Sequence, residues 1–231
     1  MLFQYILIAT HPPMPLSCIA VIFDLDGVII DSDDAIEKRW REWAEQRDIP
    51  FEDVKAIYHG RPMVEVIEEV APDLDSEAEV DRMQDIMAAA PDHVHAFNGV
   101  KDILDGLPPE RWAIATSARR RTATNRLNHV GLPTPNVFVT ADDVTRGKPA
   151  PDAYELAAER LDVPPGDCVV FEDAPLGIEA ARRAGTQAIG VATSAAAEDL
   201  SDANAVVPAL SVVDVHLTKH GTLTVRRKAE A

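Results

Sequence analysis

Apolar residues in this chain fall in short unbroken blocks, separated by stretches with helical periodicity. The first block, Ile19–Phe23, contains no polar residue and has the character of a strand buried on both faces. Further blocks follow at Trp112–Ala115, Val137–Val139, Val169–Phe171, Ala188–Val191 and Ala205–Val207, each beside turn residues. Residues 152–161 (DAYELAAERL) and 175–184 (PLGIEAARRA) read as amphipathic helices. The second has Pro175 in its first turn and Gly185 just past its end, the usual start and stop signals. Alternating strand and helix predicts an α/β fold, a mainly parallel sheet with helices on both faces.

Residues 33–97 break this rhythm. Ile36, Trp40, Trp43 and Ala44 share one helical face. So do Met63, Val66, Ile67 and Val70, and then Val80, Met83, Ile86, Met87 and Ala90. These stripes predict a helical insertion directly after the first strand, hanging over the strand's carboxyl end. The division that follows is a variable N-terminal extension (1–16), a core (17–32 and 98–231) and the insertion (33–97). His216–Val225 predicts a short hairpin, and the charged tail Arg226–Ala231 a frayed end.

Composition narrows the choice of partner. A formal charge of −17 over 231 residues repels nucleic acid and anionic membranes. No stretch is long and apolar enough to span a bilayer. Residues 1–9 are apolar but short, lack a basic start and run into His11-Pro12-Pro13-Met14-Pro15, a poor signal peptide; Met14 is an alternative start. Cys18 and Cys168 make no disulfide framework, and a cytoplasmic protein with reduced thiols is expected.

The chemistry gathers at strand ends. Phe23-Asp24-Leu25-Asp26-Gly27 closes the first strand. Its two carboxylates project from the carboxyl edge of the sheet, where open α/β folds bind ligands. One can act as a nucleophile and the other as a general acid/base, while Gly27 lets the backbone turn sharply. Taken alone, Asp-x-Asp-Gly describes a plain turn equally well. Thr116 and Ser117 follow the second block and offer hydroxyls and N–H groups to an anion, or an ordinary helix cap. Lys148, between Gly147 and Pro149, is a placed cation or a solvated loop lysine. Glu172 and Asp173 end the Val169–Phe171 block and supply hard oxygens of the kind Mg²⁺ favours, or an acidic helix start. Together the groups make the set needed for phosphoryl transfer through an aspartyl-phosphate. Two facing acidic clusters also require a divalent cation between them.

Phe23–Gly27, Thr116, Lys148 and Glu172–Asp173 resemble the four motifs of the haloacid dehalogenase superfamily. The resemblance covers residues 19–193, with the insertion matching that family's small helical cap. It implies a Rossmann-like sheet and a Mg²⁺-dependent phosphatase, a phosphoric monoester hydrolase. Asp24 would be the nucleophile, and Asp26 would protonate the leaving alcohol and then activate water. Thr116, Ser117 and Lys148 would hold the phosphoryl group. Mg²⁺ would sit on Asp24, the Asp26 carbonyl and Asp173, with Glu172 acting through water. More narrowly, His59-Gly60-Arg61, Trp112–Ser117 and Val170–Pro175 with Gly177 and Ile178 resemble the glycerol-3-phosphatase and 2-deoxyglucose-6-phosphatase group. That implies a small phosphorylated polyol or sugar as substrate, with His59 and Arg61 beside it. The group places its cap Arg two residues after the Gly; here Arg61 follows Gly60 at once and Pro62 takes that place. Independently of the resemblance, the basic run Arg119–Arg121 beside Thr116 reads as a solvated helix face or as the source of one cation, Arg120, that reaches the substrate phosphate or its polar end. A monomer or weak homodimer is expected.

Other classes fit less well. Dehalogenation needs no acid at Asp26. The β-phosphoglucomutases share the four motifs but carry a His on the first cap helix that holds off water; Ile36 stands there, which favours hydrolysis. A non-catalytic phosphometabolite-binding protein would be expected to have lost Asp24, Asp26 or Lys148, and all are present. His93-Val94-His95 reads as a solvated linker rather than a metal pair. Asp31-Ser32-Asp33-Asp34 reads as the hinge and N-cap of the first cap helix.

Overall fold

The computed structural model describes residues 14–58, 61–89 and 92–228. In chain order it begins with strands β1 (Leu16–Cys18), β2 (Ala20–Phe23) and β3 (Ile30–Asp31). Helices α1 (Asp33–Glu45), α2 (Phe51–Lys55), α3 (Met63–Val70) and α4 (Ser76–Ala89) follow, then β4 (His95–Ala96) and α5 (Val100–Gly106). Next come β5 (Trp112–Ala115), α6 (Arg120–His129), β6 (Val137–Val139), α7 (Asp152–Arg160) and β7 (Cys168–Glu172). The chain ends with α8 (Pro175–Arg183), β8 (Gln187–Val191), β9 (Ala205–Val207), β10 (Val213–Leu217) and β11 (Leu223–Arg227).

Six strands form one sheet in the order β6-β5-β2-β7-β8-β9, and every neighbouring pair is parallel. The unbroken apolar blocks are accounted for, because alternate residues of each strand enter different cores. Val21, Phe23, Ile114, Val169 and Phe171 pack with α5, α6 and the β10–β11 hairpin. Ala20, Ile22, Ala113, Ala115 and Val170 pack with α7 and α8. Both faces are therefore covered. Phe23 and Phe171 lie opposite one another in β2 and β7, their rings stacked at 5.0 Å.

The helices between residues 33 and 89 build a core of their own around Trp40, Trp43, Val54, Val66, Ile67, Met83 and Met87. One residue of the expected stripe on α4, Ile86, faces out at 37% exposure. Glu79 takes an inward position instead, since it accepts the Trp43 indole N–H at 2.8 Å and pairs with Arg47. The stripe rotates to keep that acid satisfied. The antiparallel pair β3–β4 joins Ile30 to Ala96 and Asp31 to His95, tying together the two crossings into the insertion. No periodicity announced it.

The chain ends also differ from expectation. Leu16, within the expected extension, belongs to β1, which pairs antiparallel with β11. Residues 1–13 lie outside those described. The hairpin is longer than 216–225, and Arg226 and Arg227 are strand residues. Arg226 pairs with Asp214 at 2.8 Å, and the Lys228 amide donates to the Val212 carbonyl at 2.8 Å. The charged tail is pinned through Lys228 because β10 presents Asp214 to Arg226 and the turn just ahead of it presents the Val212 carbonyl to Lys228. Both cysteines are buried free thiols, and burial pushes each up to about 12. Among the described residues, no helix is long and apolar enough to cross a membrane.

Candidate active site

The register of β2 with β7 assembles the site. The Asp24 amide donates to the Phe171 carbonyl at 2.9 Å, so the chain continues the ladder one step past β2 and sets Asp24 beside Glu172. From the loop between β6 and α7, the Lys148 ammonium reaches Asp24 Oδ1 at 2.6 Å and also Oε1 of Glu172. Tyr154 donates its hydroxyl to the same Glu172 oxygen at 2.8 Å. The other, Oε2, accepts the amides of Asp173 and Ala174 at 2.9 and 3.0 Å. Glu172 is thus held on all sides at the start of α8. That helix comes so near that a Cβ on Gly177 would stand 1.8 Å from the carboxylate.

Gly27 serves a second close approach. Its φ is +79°, and a Cβ there would lie 1.9 Å from Asp173 Oδ2; only glycine meets both demands. Asp173 also accepts a hydrogen bond from the Ser194 side chain. Asp24, Glu172 and Asp173 each present an oxygen, all within 4.8 Å of one another. Burial pushes the Asp24 carboxyl up to about 7 against the pull of Lys148, and Glu172 and Asp26 add to the rise. Burial, Glu172 and Asp24 likewise push Asp173 well up. Burial alone would lower Lys148, but Asp24 and Glu172 hold its pKa well above the ordinary lysine value. The ammonium therefore stays charged within a nest of acids.

Asp26 stands apart from this cluster. Its Oδ1 accepts the Ser32 hydroxyl at 2.7 Å and Arg126 Nη1 at 2.5 Å. Thr116 is buried at the end of β5, and its Oγ1 accepts the Ala118 amide at 3.0 Å. It caps a turn and not α6, whose N-cap is Arg119. Ser117 is exposed beside it.

The haloacid dehalogenase-like hydrolase family matches residues 21–191. The chain belongs to that family. It is 35% identical over 217 residues to "Hexitol phosphatase A" of Escherichia coli K12, covering 90% of this chain and 99% of the relative. It is 36% identical over 199 residues to "Glycerol-1-phosphate phosphohydrolase 2" of Saccharomyces cerevisiae, covering 80% and 79%. Among solved structures, a hydrolase from Pseudomonas syringae superposes with a TM-score of 0.71 at 28% identity, covering 81% of this chain and 91% of that one. The expected family, the α/β fold and the resemblance to polyol-phosphate phosphatases are borne out, and the enzyme is a phosphoric monoester hydrolase.

Hydrolases of this family generally use a divalent metal, and the donors here suit one. Asp24 and Asp173 offer hard carboxylate oxygens in a buried, mutually repelling cluster. Glu172 fits differently, since its oxygens are already engaged by Lys148, Tyr154 and two amides.

Of the remaining residues singled out from the sequence, His59 lies outside the described residues. Arg61 sits just ahead of α3 and turns to that helix, 2.9 Å from Glu69 and 3.9 Å from Glu65. Arg120 donates to Asp143 at 2.6 Å and to the Phe138 carbonyl at 2.9 Å, so its guanidinium is occupied at the β6 end. Four site residues went unread in the sequence: Tyr154, Ser194, Ser32 and Arg126. Ser32 occupies the N-cap position of α1, but no side-chain cap bond forms there; its hydroxyl goes to Asp26 instead. Arg126 falls on the buried face of α6 with Thr122, Ala123 and Leu127. A charge on an apolar stripe was the signal that could have found it.

Proposed function

We propose that this enzyme is a Mg²⁺-dependent phosphatase of a small phosphorylated polyol or sugar, working through an aspartyl-phosphate on Asp24. The observation that carries this reading is the Lys148 ammonium, 2.6 Å from Asp24 Oδ1 and paired with Glu172. A buried cation against a strand-end carboxylate orients a nucleophile and offers charge to the phosphoryl oxygens attached to it. The names of the relatives, a hexitol and a glycerol phosphate phosphatase, support the substrate class. Asp24, the Asp26 carbonyl and Asp173 would hold Mg²⁺, while Glu172, its oxygens engaged by Lys148, Tyr154 and two amides, would add negative charge beside it rather than a ligand; when bound, the cation neutralises the facing acids and the transferring phosphoryl charge.

In the first half-reaction an Asp24 oxygen bonds to phosphorus. The bond from phosphorus to the ester oxygen breaks, and Asp26 gives that oxygen its proton. In the second, water attacks phosphorus, Asp26 takes its proton back, and the acyl-phosphate bond to Asp24 breaks. Thr116, Ser117 and Lys148 hold the phosphoryl group throughout. The helices of residues 33–97 act as a cap over this edge, with His59 and Arg61 as its polar residues for substrate; Arg61, paired with Glu69 and Glu65, would exchange those acids for the substrate. Arg120, tied to Asp143, is assigned no direct contact. Hydrolysis is favoured over a sugar-phosphate mutase because Ile36 packs against the helical core and offers no group to hold off water.

The test is phosphate release with MgCl₂ from a panel of hexitol, glycerol, hexose and deoxyhexose phosphates, together with acid-quenched detection of phosphoenzyme. Asp24→Asn should abolish both signals, since an amide is a poor nucleophile. Isomerisation of a hexose 1-phosphate faster than phosphate release would overturn the reading in favour of a mutase.

A further inference from the structure

Both donors to Asp26 converge on one atom. Ser32 Oγ and Arg126 Nη1 reach Oδ1 at 2.7 and 2.5 Å, and no donor among the described residues engages Oδ2. Arg126 is no surface residue that happens to fold over. Its side chain is 5% exposed, against 22% for Asp26. It projects from α6, the helix that docks against α4 of the insertion. Asn125 there donates to the Ala88 carbonyl at 2.6 Å, and Arg126 Nη2 lies 3.9 Å from the Met87 sulfur. Asp26 is the one carboxylate paired with Arg126 among the described residues. A buried guanidinium is costly without such a partner, so the pair is locked from both sides.

From this convergence we infer that Arg126, helped by Ser32, is a positioning residue for the acid/base. It pins Oδ1 and leaves Oδ2 as the oxygen that passes the proton. The inference rests on Asp26 having that role. The arrangement can hold in both charge states, because the carbonyl oxygen of a protonated acid keeps two lone pairs for the two donors, although both bonds are stronger to the carboxylate. The anchor therefore stays in place while the Oδ2–H bond breaks and an O–H bond forms on the departing alcohol. It stays in place again when Oδ2 takes a proton from the attacking water. Without it the carboxyl turns freely about its terminal torsion, and a proton donor out of line loses much of its effect.

The experiment compares leaving groups. The ratio kcat/KM reports events up to departure of the first product, so it includes proton donation to the alcohol and excludes the later attack of water. An alkyl phosphate needs that proton; p-nitrophenyl phosphate, with a stable phenolate, does not. Arg126→Gln should lower kcat/KM by about a hundredfold on the best alkyl phosphate of the panel, and by less than about fivefold on the aryl ester. Arg126→Lys should restore part of the alkyl loss, and Ser32→Ala should shift the same ratio by a smaller factor. Equal losses on both esters for Arg126→Lys and Ser32→Ala would assign the pair a structural role and overturn the inference, even where Arg126→Gln fails to fold. Asp26→Asn separates the two levels. If it shows the leaving-group split and the Arg126 variants do not, the positioning role alone is wrong. If it shows no split, the acid/base reading falls and this inference with it.

Discussion

Tyr154 donates its hydroxyl to Oε1 of Glu172 at 2.8 Å, the same oxygen that Lys148 grips. With the Asp173 and Ala174 amides on Oε2, every side of this buried carboxylate is taken. Glu172 thus works as the anchor that aims Lys148 at Asp24. Glu172→Gln would face an amide N–H₂ against existing donors, leaving buried groups unsatisfied and Lys148 short of one counter-charge. Turnover should fall by about a hundredfold or more, with a marked drop in Tm. Tyr154→Phe removes one hydrogen bond to a charged group, worth about 1.5–3 kcal/mol, and leaves Lys148 in place; its loss of turnover should be about tenfold or less. Thermal unfolding and steady-state rates on the pair check this, and equal losses would refute the anchor role.

Chelation should stop turnover reversibly, with Mg²⁺ restoring it. Asp173→Ala should raise the Mg²⁺ concentration for half-maximal rate much more than Tyr154→Phe does. Asp173 offers a carboxylate oxygen to the cluster, whereas Tyr154 acts through Glu172 alone. Titrating Mg²⁺ into chelator-stripped protein gives both numbers. Undiminished activity after exhaustive chelation would remove the metal from the mechanism.

Asp143 ties α6 and α7 to the end of β6, and it does so through charge. Burial by itself would raise its carboxyl. The Thr140 hydroxyl and amide, with Arg160 and Arg120, outweigh that and hold it at about 2, below the ordinary 3.8. The folded state therefore binds this proton less readily than the unfolded chain. The stability contributed is complete above about pH 4 and is lost as pH falls through 2. Asp143→Asn should lower Tm near neutrality, with the gap to wild type closing below pH 4. A gap that stays constant from pH 6 to pH 2.5 would contradict the assignment.

What could be read from the chain and what could not divide along physical lines. Asp24, Glu172 and Asp173 stand at the ends of apolar blocks, and a strand buried on both faces writes itself in consecutive residues; Lys148 was marked instead by its place between Gly147 and Pro149 at a helix entrance. Tyr154 looked like one more apolar position in DAYELAAERL, since periodicity records burial and not what a hydroxyl reaches. Ser32 carried a strong local reading as a helix cap, and a tertiary partner took its hydroxyl. Arg126 meets an acid 100 residues away, and no local pattern encodes such a pairing. The β3–β4 bridge is two residues long on each side, too short to carry a period.

Arg61 offers a test of where selectivity lies. Its guanidinium is one-third exposed and paired with Glu69 and Glu65, in contacts that add about 1 kcal/mol or less to stability. Arg61→Ala should therefore leave Tm nearly unchanged. If the cap selects substrate through this residue, KM for the best alkyl phosphate should rise by about tenfold or more, while p-nitrophenyl phosphate, which gains little from cap contacts, should be hydrolysed almost as before. A parallel loss on both esters, or none on either, would leave Arg61 as a tether of α3 and move selectivity elsewhere in the insertion. Glu69→Gln is the control. It frees the guanidinium without removing it, so a fall in KM where Arg61→Ala gives a rise would identify the ion pair as a competitor of the substrate for the same cation.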